Sequence, residues 1–303
     1  MKKTSFFAVI VSGLLWGSSC LFATTLSGYG IGTVGITAIR AIVSALFVGL
    51  FILIFQRKAF RVGWKDLVLL FFCGLGLFGS SACYFTALTK TSVATAVVLM
   101  YTAPVLVMLF SVAFLGEKMN LPKALSVGGM LLGCVLVSGV IGNMVFNGMG
   151  FLLGILSGIS FAAYNVLTKI LMQRGNVGTL TANFYTFLFM SILATAFCNP
   201  ARTFAEVSAQ AAQTVPLLIL MGILTGALPY LLYAGAMKHL TAGVVSALAI
   251  IEPMASVLLG VWFMEQTLTW NVVLGVAFIL VSVCLLAPRD ENKKKKTEKD
   301  KTI

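Results

Sequence analysis

Apolar residues run along this chain in blocks long enough to cross a bilayer, separated by short polar segments. A helical span needs about 20 such residues. Ten blocks qualify, over 5–26, 34–55, 67–88, 92–115, 122–141, 149–171, 180–198, 216–237, 241–264 and 270–287. The pattern predicts an all-α polytopic membrane protein of ten transmembrane helices. The longest connection, 199–215, holds Asn199, Pro200, Arg202 and Glu206 and reads as a surface loop with a short amphipathic turn. The first block begins MKKTSFFAVIVSGLLWGSSC, which mimics a signal peptide ending at Cys20. The apolar run continues past that cysteine to Leu26, and the repeat described below needs it, so it is read as a span.

Composition agrees. Hydrophobic residues make up 59% of the 303 and charged residues only 10%, too few to clothe a soluble domain of this length. The net charge of +12 might point to nucleic acid, but the basic residues sit in short loops and the tail. Placing the N-terminus inside puts Lys2, Lys3, Arg57, Lys58, Arg61, Lys65, Lys118, Lys123, Lys169, Arg174, Lys238 and the tail on one side. Only Arg40, Lys90 and Arg202 fall on the other. Cytoplasmic loops carry this excess of cations, so both termini are expected in the cytoplasm of a multi-pass protein of the cell membrane, with no nucleic-acid partner. The basic tail, 289–303, is expected to be disordered and to meet anionic lipid.

The second half of the chain repeats the first. Tyr84, Ala87, Lys90 and Pro104 lie over Tyr233, Ala236, His239 and Pro253 at one offset of 149. Trp16 lies over Phe161 and Arg40 over Tyr185 at an offset of 145, and Glu117 falls within one residue of Glu265. Each half holds five spans, an odd number, so the second must enter from the opposite face. Two inverted five-helix repeats, 1–144 and 145–288, are therefore expected, an architecture common among secondary transporters.

Several stretches carry a resemblance. WGSS at 16–19, TAIRAIVSAL at 37–46, YFTALTKTSVATAVVLMYTAPV at 84–105, FLGEKM at 114–119, YAGAMKHLTAGVVSALAIIEPM at 233–254 and FMEQTLTW at 263–270 resemble the drug/metabolite transporter superfamily, in its ten-helix EamA-type members. The likeness covers essentially the whole chain. It implies a central cavity between the halves and alternating access. It leaves the cargo open, since members move amino acids, amines, sugars, nucleotide derivatives and drugs. The second-half motif departs from the first by lacking the glycine that precedes Glu117.

Charges within a membrane are costly and call for explanation. Glu252 falls mid-span directly before Pro253, which removes a backbone hydrogen bond and frees carbonyls of the preceding turn. A carboxylate there suits a proton or cation site, or a structural hydrogen bond. Arg40 can hold a substrate carboxylate bidentately, or snorkel to the interface. Lys90 and Lys169 lie near helix ends and are expected to snorkel. Pro104 and Pro253 are repeat partners, and with Arg40 and Glu252 they are the candidate coupling and gating residues. Pro229 adds a break in the eighth span. Trp16, Tyr84, Tyr101, Asn165, Tyr230 and Glu252 are the candidate substrate-binding residues, because aromatics with polar tips suit amino acids or organic cations. Tyr164 and Tyr233 are further polar aromatics near the breaks. Glu117 and Glu265 are expected to cap or pair in the turns between spans four and five and spans nine and ten. Gly154 and Gly158 form a G-x-x-x-G, which fits packing within the chain or a homodimer seam.

The chain holds one histidine and six cysteines with no C-x-x-C, so no metal or cofactor is expected. An intramembrane enzyme needs clustered catalytic groups, and Glu252 is the only acid at mid-membrane. The nucleotide-binding loop of an ATP-driven pump is missing. The expectation is a secondary transporter of small polar metabolites, foremost an amino-acid exporter, with proton coupling through Glu252. An organic-cation or drug:proton antiporter and a small-solute importer are the alternatives.

Overall fold

The computed structural model describes residues 1–91, 93–138, 147–263 and 269–286. Glu265, the basic tail and the junction between the two repeats lie outside them. Within the described residues every regular element is a helix. The first span is α1 (Lys2–Gly17) with α2 (Ser19–Gly28), and it runs through Cys20. α3 (Thr33–Phe55) and α4 (Trp64–Leu88) follow, joined by a 3-10 turn at Arg57–Phe60. The fourth span is split into α5 (Val93–Met100) and α6 (Ala103–Leu115), and α7 (Leu121–Ser138) closes the first half.

The second half holds α8 (Gly148–Arg174), α9 (Thr179–Phe197) and a surface helix α10 (Pro200–Ser208). Its eighth span is α11 (Ala211–Met221), a π-helical turn (Gly222–Ala227) and α12 (Leu228–Ala236). The ninth is split into α13 (Ala242–Leu248) and α14 (Ile251–Phe263), and α15 (Trp270–Leu286) is the tenth. Nine of these segments are long and apolar enough to cross a membrane, and α15 is a shorter apolar helix. The segment expected as a loop is helical because Asn199 accepts the Arg202 N–H at 3.1 Å and Pro200 opens the first turn, a good start signal. The eighth span accordingly starts at Ala211, ahead of the expected 216.

Large apolar side chains face outward and small polar ones lie inside. Leu46, Leu50, Ile54, Phe55, Leu121, Leu125 and Val281 are exposed, whereas Ser12, Ser44, Ser111, Ser126, Ser157 and Ser246 are fully buried. Trp64, Trp262 and Trp270 stand exposed at helix ends, where indoles anchor in the headgroup region.

The helix pairings obey an exchange of the halves. α4 packs on α8 and α12 on α1; α1 packs on α14 and α8 on α6; α3 pairs with α9, α7 with α15, and α6 with α13. Replacing each span by its counterpart five spans away returns the same set. The α7–α15 contact is itself reciprocal. A Cβ on Gly133 would lie 2.7 Å from Gly275 O, and one on Gly275 would lie 2.7 Å from Gly133 O. Glycine at both positions lets the two backbones touch.

Candidate functional site

The breaks in the fourth and ninth spans fall at matched places. α5 ends at Met100 and α6 resumes at Ala103; α13 ends at Leu248 and α14 resumes at Ile251. Pro104 and Pro253 lie just inside the resumed helices. Neither can donate to the carbonyl four residues back, so each span breaks one turn before its proline. The eighth span loosens differently. Before Pro229 it widens into the π-helical turn, and first-half serines take up its carbonyls: Ser44 Oγ donates to Gly222 O at 2.9 Å, and Ser12 Oγ to Pro229 O at 3.0 Å. Such π-turns are frequent where a helix serves a functional site.

Between these breaks lies a cavity of about 840 Å³. Trp16, Arg40, Tyr84, Tyr101, Tyr230 and Glu252 line it, together with Pro104 and Pro253. Its wall reaches Thr33, Leu88 and Ser138, the first residue of α3 and the last residues of α4 and α7. That is the end away from Arg57, Lys65 and Arg174. At the basic end Asp66 pairs with Arg174 at 3.6 Å, and Tyr185 and Thr181 donate to Phe60 O and Ala59 O at 2.8 and 2.9 Å. No residue of that end lines the cavity. Met237, Leu240, Val245 and Leu248, in the α12–α13 turn and α13, are buried in the core.

Glu252 and Arg40 share the cavity wall. They feel one another's charge, yet no ion pair joins them among the described residues. The Tyr101 hydroxyl faces the Glu252 carboxyl, and Tyr84 lies within its field. The Trp16 ring packs edge-on against Tyr230 at 4.8 Å and tilted against Tyr233 at 5.1 Å. Its indole N–H finds no acceptor among the described residues, so the aromatic wall carries a donor without a protein partner.

Asn165 is set apart from the cavity. It is fully buried, accepts the Tyr233 hydroxyl on Oδ1 and donates from Nδ2 to Phe161 O. Lys169 corrects an expectation. It does not snorkel but is 6% exposed and donates from Nζ to Met237 O at 2.6 Å and Leu240 O at 2.7 Å. Those carbonyls lie in the turn between α12 and α13, where no following helical amide takes them up, which makes them strong acceptors for a buried ammonium. Among the described residues, the partner of the Glu117 carboxylate lies outside the first half. The carboxylate accepts the Ala242 N–H at the start of α13, at 2.8 Å. Gly154 and Gly158 pack within the chain, against Leu99 and Thr102.

Ser80, Ser81, Thr37, Ser246 and Met100 also line the cavity and were not singled out in the sequence. Helical spacing is the signal that finds three of them. Thr37 lies three before Arg40, and Ser80 and Ser81 lie four and three before Tyr84, so each shares a face with a candidate residue.

Known proteins place the chain. The model of the EamA-like transporter family matches residues 3–139 and again 148–287. A protein of Archaeoglobus fulgidus named an uncharacterized transporter is 30% identical over 281 residues, covering 92% of this chain and 94% of its own. The uncharacterized transporter YxxF of Bacillus subtilis is 23% identical over 299 residues, covering 96% and 92%. A crystal structure 21% identical in sequence superposes with a TM-score of 0.75 over 95% of this chain and 98% of its own, a likeness of fold. Two copies of one family model end to end, on a bundle whose pairings survive exchange of its halves, identify the chain as a member of the EamA-like transporter family, a multi-pass membrane transporter and not an enzyme.

Proposed function

We propose that this protein is a secondary transporter of small polar metabolites, foremost an exporter of amino acids, working by alternating access between two inverted halves. The observation that carries the reading is the pair Arg40 and Glu252, which share one cavity without pairing to each other. A zwitterion satisfies both: its carboxylate meets the guanidinium in a bidentate contact and its ammonium meets the carboxylate. Aromatic faces from Trp16, Tyr84 and Tyr230 hold the cationic end and the apolar body.

The excess of cations at one end orients that end to the cytoplasm, so the cavity as drawn reaches the outer side. Glu252 beside the broken ninth span supports a role in proton coupling. Export is the direction implied by the resemblance to the drug/metabolite transporter superfamily. The aromatic wall with Glu252 also favours a second reading, an organic-cation:proton antiporter, in which Arg40 has no substrate role.

Transport assays in proteoliposomes with a panel of neutral amino acids and lipophilic cations, with and without a proton gradient, separate the two. Amino-acid flux that competes poorly with the cations supports the first reading. Flux of the cations alone overturns it.

A further inference from the structure

The closed end of the bundle is held by two charged groups that the cavity does not use. Lys169, from α8, donates both its short hydrogen bonds to carbonyls of the α12–α13 turn, those of Met237 and Leu240. Glu117, following α6, takes the Ala242 N–H from the other side of the same turn. A cation on carbonyls just past the C-terminus of one helix and an anion on the first amide of the next both match the helix-end dipoles. The two groups also lie within each other's field. Lys169 belongs to the same half as the turn and braces it there, whereas Glu117 comes from the first half, so its bond to the Ala242 amide pins the turn across the line along which the halves must part. Bonds from charged groups in a water-poor setting are the strong ones.

Among the described residues, the first-half counterpart of Lys169 carries no ammonium. At the 145-residue offset Lys169 lies over Thr24, whose hydroxyl donates to Cys20 O within its own helix. A hydroxyl thus stands in the first half where the second has an ammonium.

We propose that Lys169 and Glu117 form a two-point latch on the α12–α13 turn, which holds the basic end shut and makes the state open at the other end the resting one. This rests on the alternating-access reading.

The test uses the full chain in lipid nanodiscs, with bioorthogonal spin labels at Lys118 and Lys238. Both are exposed, Lys118 next to Glu117 in the first half and Lys238 in the α12–α13 turn of the second. Wild type gives one short distance by double electron–electron resonance. Lys169→Met, which keeps the length and removes the donors, raises the ratio of open to closed populations at least about tenfold. Lys169→Arg, which keeps the donors, holds the short distance. Glu117→Ala opens the same end and serves as the second probe if Lys169→Met fails to fold.

An unchanged distance distribution in a folded Lys169→Met or Glu117→Ala protein overturns the latch. So does opening by Lys169→Arg equal to that by Lys169→Met. A wild-type protein that moves no solute in vesicles, with a Lys169→Met form that opens, overturns the transport reading and supports the latch.

Discussion

Glu117 and Ala242, 125 positions apart, are joined by a 2.8 Å hydrogen bond from the Ala242 amide to Oε1 of the glutamate. The bond ties the end of the fourth span to the start of the ninth. Glu117→Ala leaves that amide without its acceptor, at a cost of about 1–3 kcal/mol. Hydrogen exchange of peptides covering Ala242–Leu248 is expected to speed up by about tenfold or more, while peptides from α4 and α8 stay as in wild type. Glu117→Gln keeps an acceptor oxygen and is expected to lose less.

At the contact between the fifth and tenth spans, a methyl group on Gly133 would press on the Gly275 carbonyl. Gly133→Ala is expected to destabilise by about 1–3 kcal/mol through forced backbone separation. Thermal unfolding in detergent reads this as a lowered Tm. Gly128→Ala, on the same helix with open space around it, is the control and is expected to leave the Tm unchanged or raise it slightly.

Cys20 lines the cavity and is half-buried, with its thiol directed to Ser256 O at 3.7 Å. Cys73 is fully buried. A small water-soluble thiol reagent is expected to modify Cys20 and spare Cys73, as read by mass spectrometry. A transported amino acid at saturating concentration is expected to slow modification of Cys20 severalfold. Equal rates with and without it would place the solute elsewhere.

Outside the membrane-spanning segments, Glu206 accepts from Arg202 Nε at 2.7 Å and from the Gly32 N–H at 3.2 Å. The Arg202 bond first, and then the Gly32 amide, hold its carboxyl below the usual carboxylate range. A folded-state value below the unfolded one means that the tie between α10 and the loop before α3 is fully present above the ordinary carboxylate pKa. It is lost as pH falls through the lowered value. Protection of the Gly32 amide, corrected for intrinsic exchange, is therefore expected to fall on acidification. In Glu206→Gln it should show no such step.

The spans, the repeated spacing and eight of the residues that line the cavity were legible in the sequence because each leaves a one-dimensional trace. Apolar length gives the span, and the spacing from Tyr84 to Pro104 recurs from Tyr233 to Pro253. The matched prolines also mark where both interrupted spans break. Partners across the bundle leave no such trace. Lys169 sits where helical rise alone would allow snorkelling, and only the fold shows that unpaired carbonyls of the α12–α13 turn face it. Asn165 lies well inside its span as expected, yet the orientation of one helix turns it to Tyr233 and away from the cavity. The carbonyls of Gly222 and Pro229, on either side of the π-helical turn, meet Ser44 and Ser12 from distant spans.

Uptake of radiolabelled neutral amino acids into proteoliposomes, with and without an imposed proton gradient, tests most directly whether the cavity carries the solute and Glu252 the coupling. Wild type is expected to respond to the gradient. Arg40→Gln is expected to raise KM for amino acids at least about tenfold, through loss of a bidentate charge contact. Glu252→Gln is expected to lose the gradient response. Transport by Glu252→Gln at the wild-type rate, with unchanged pH dependence, would contradict the account.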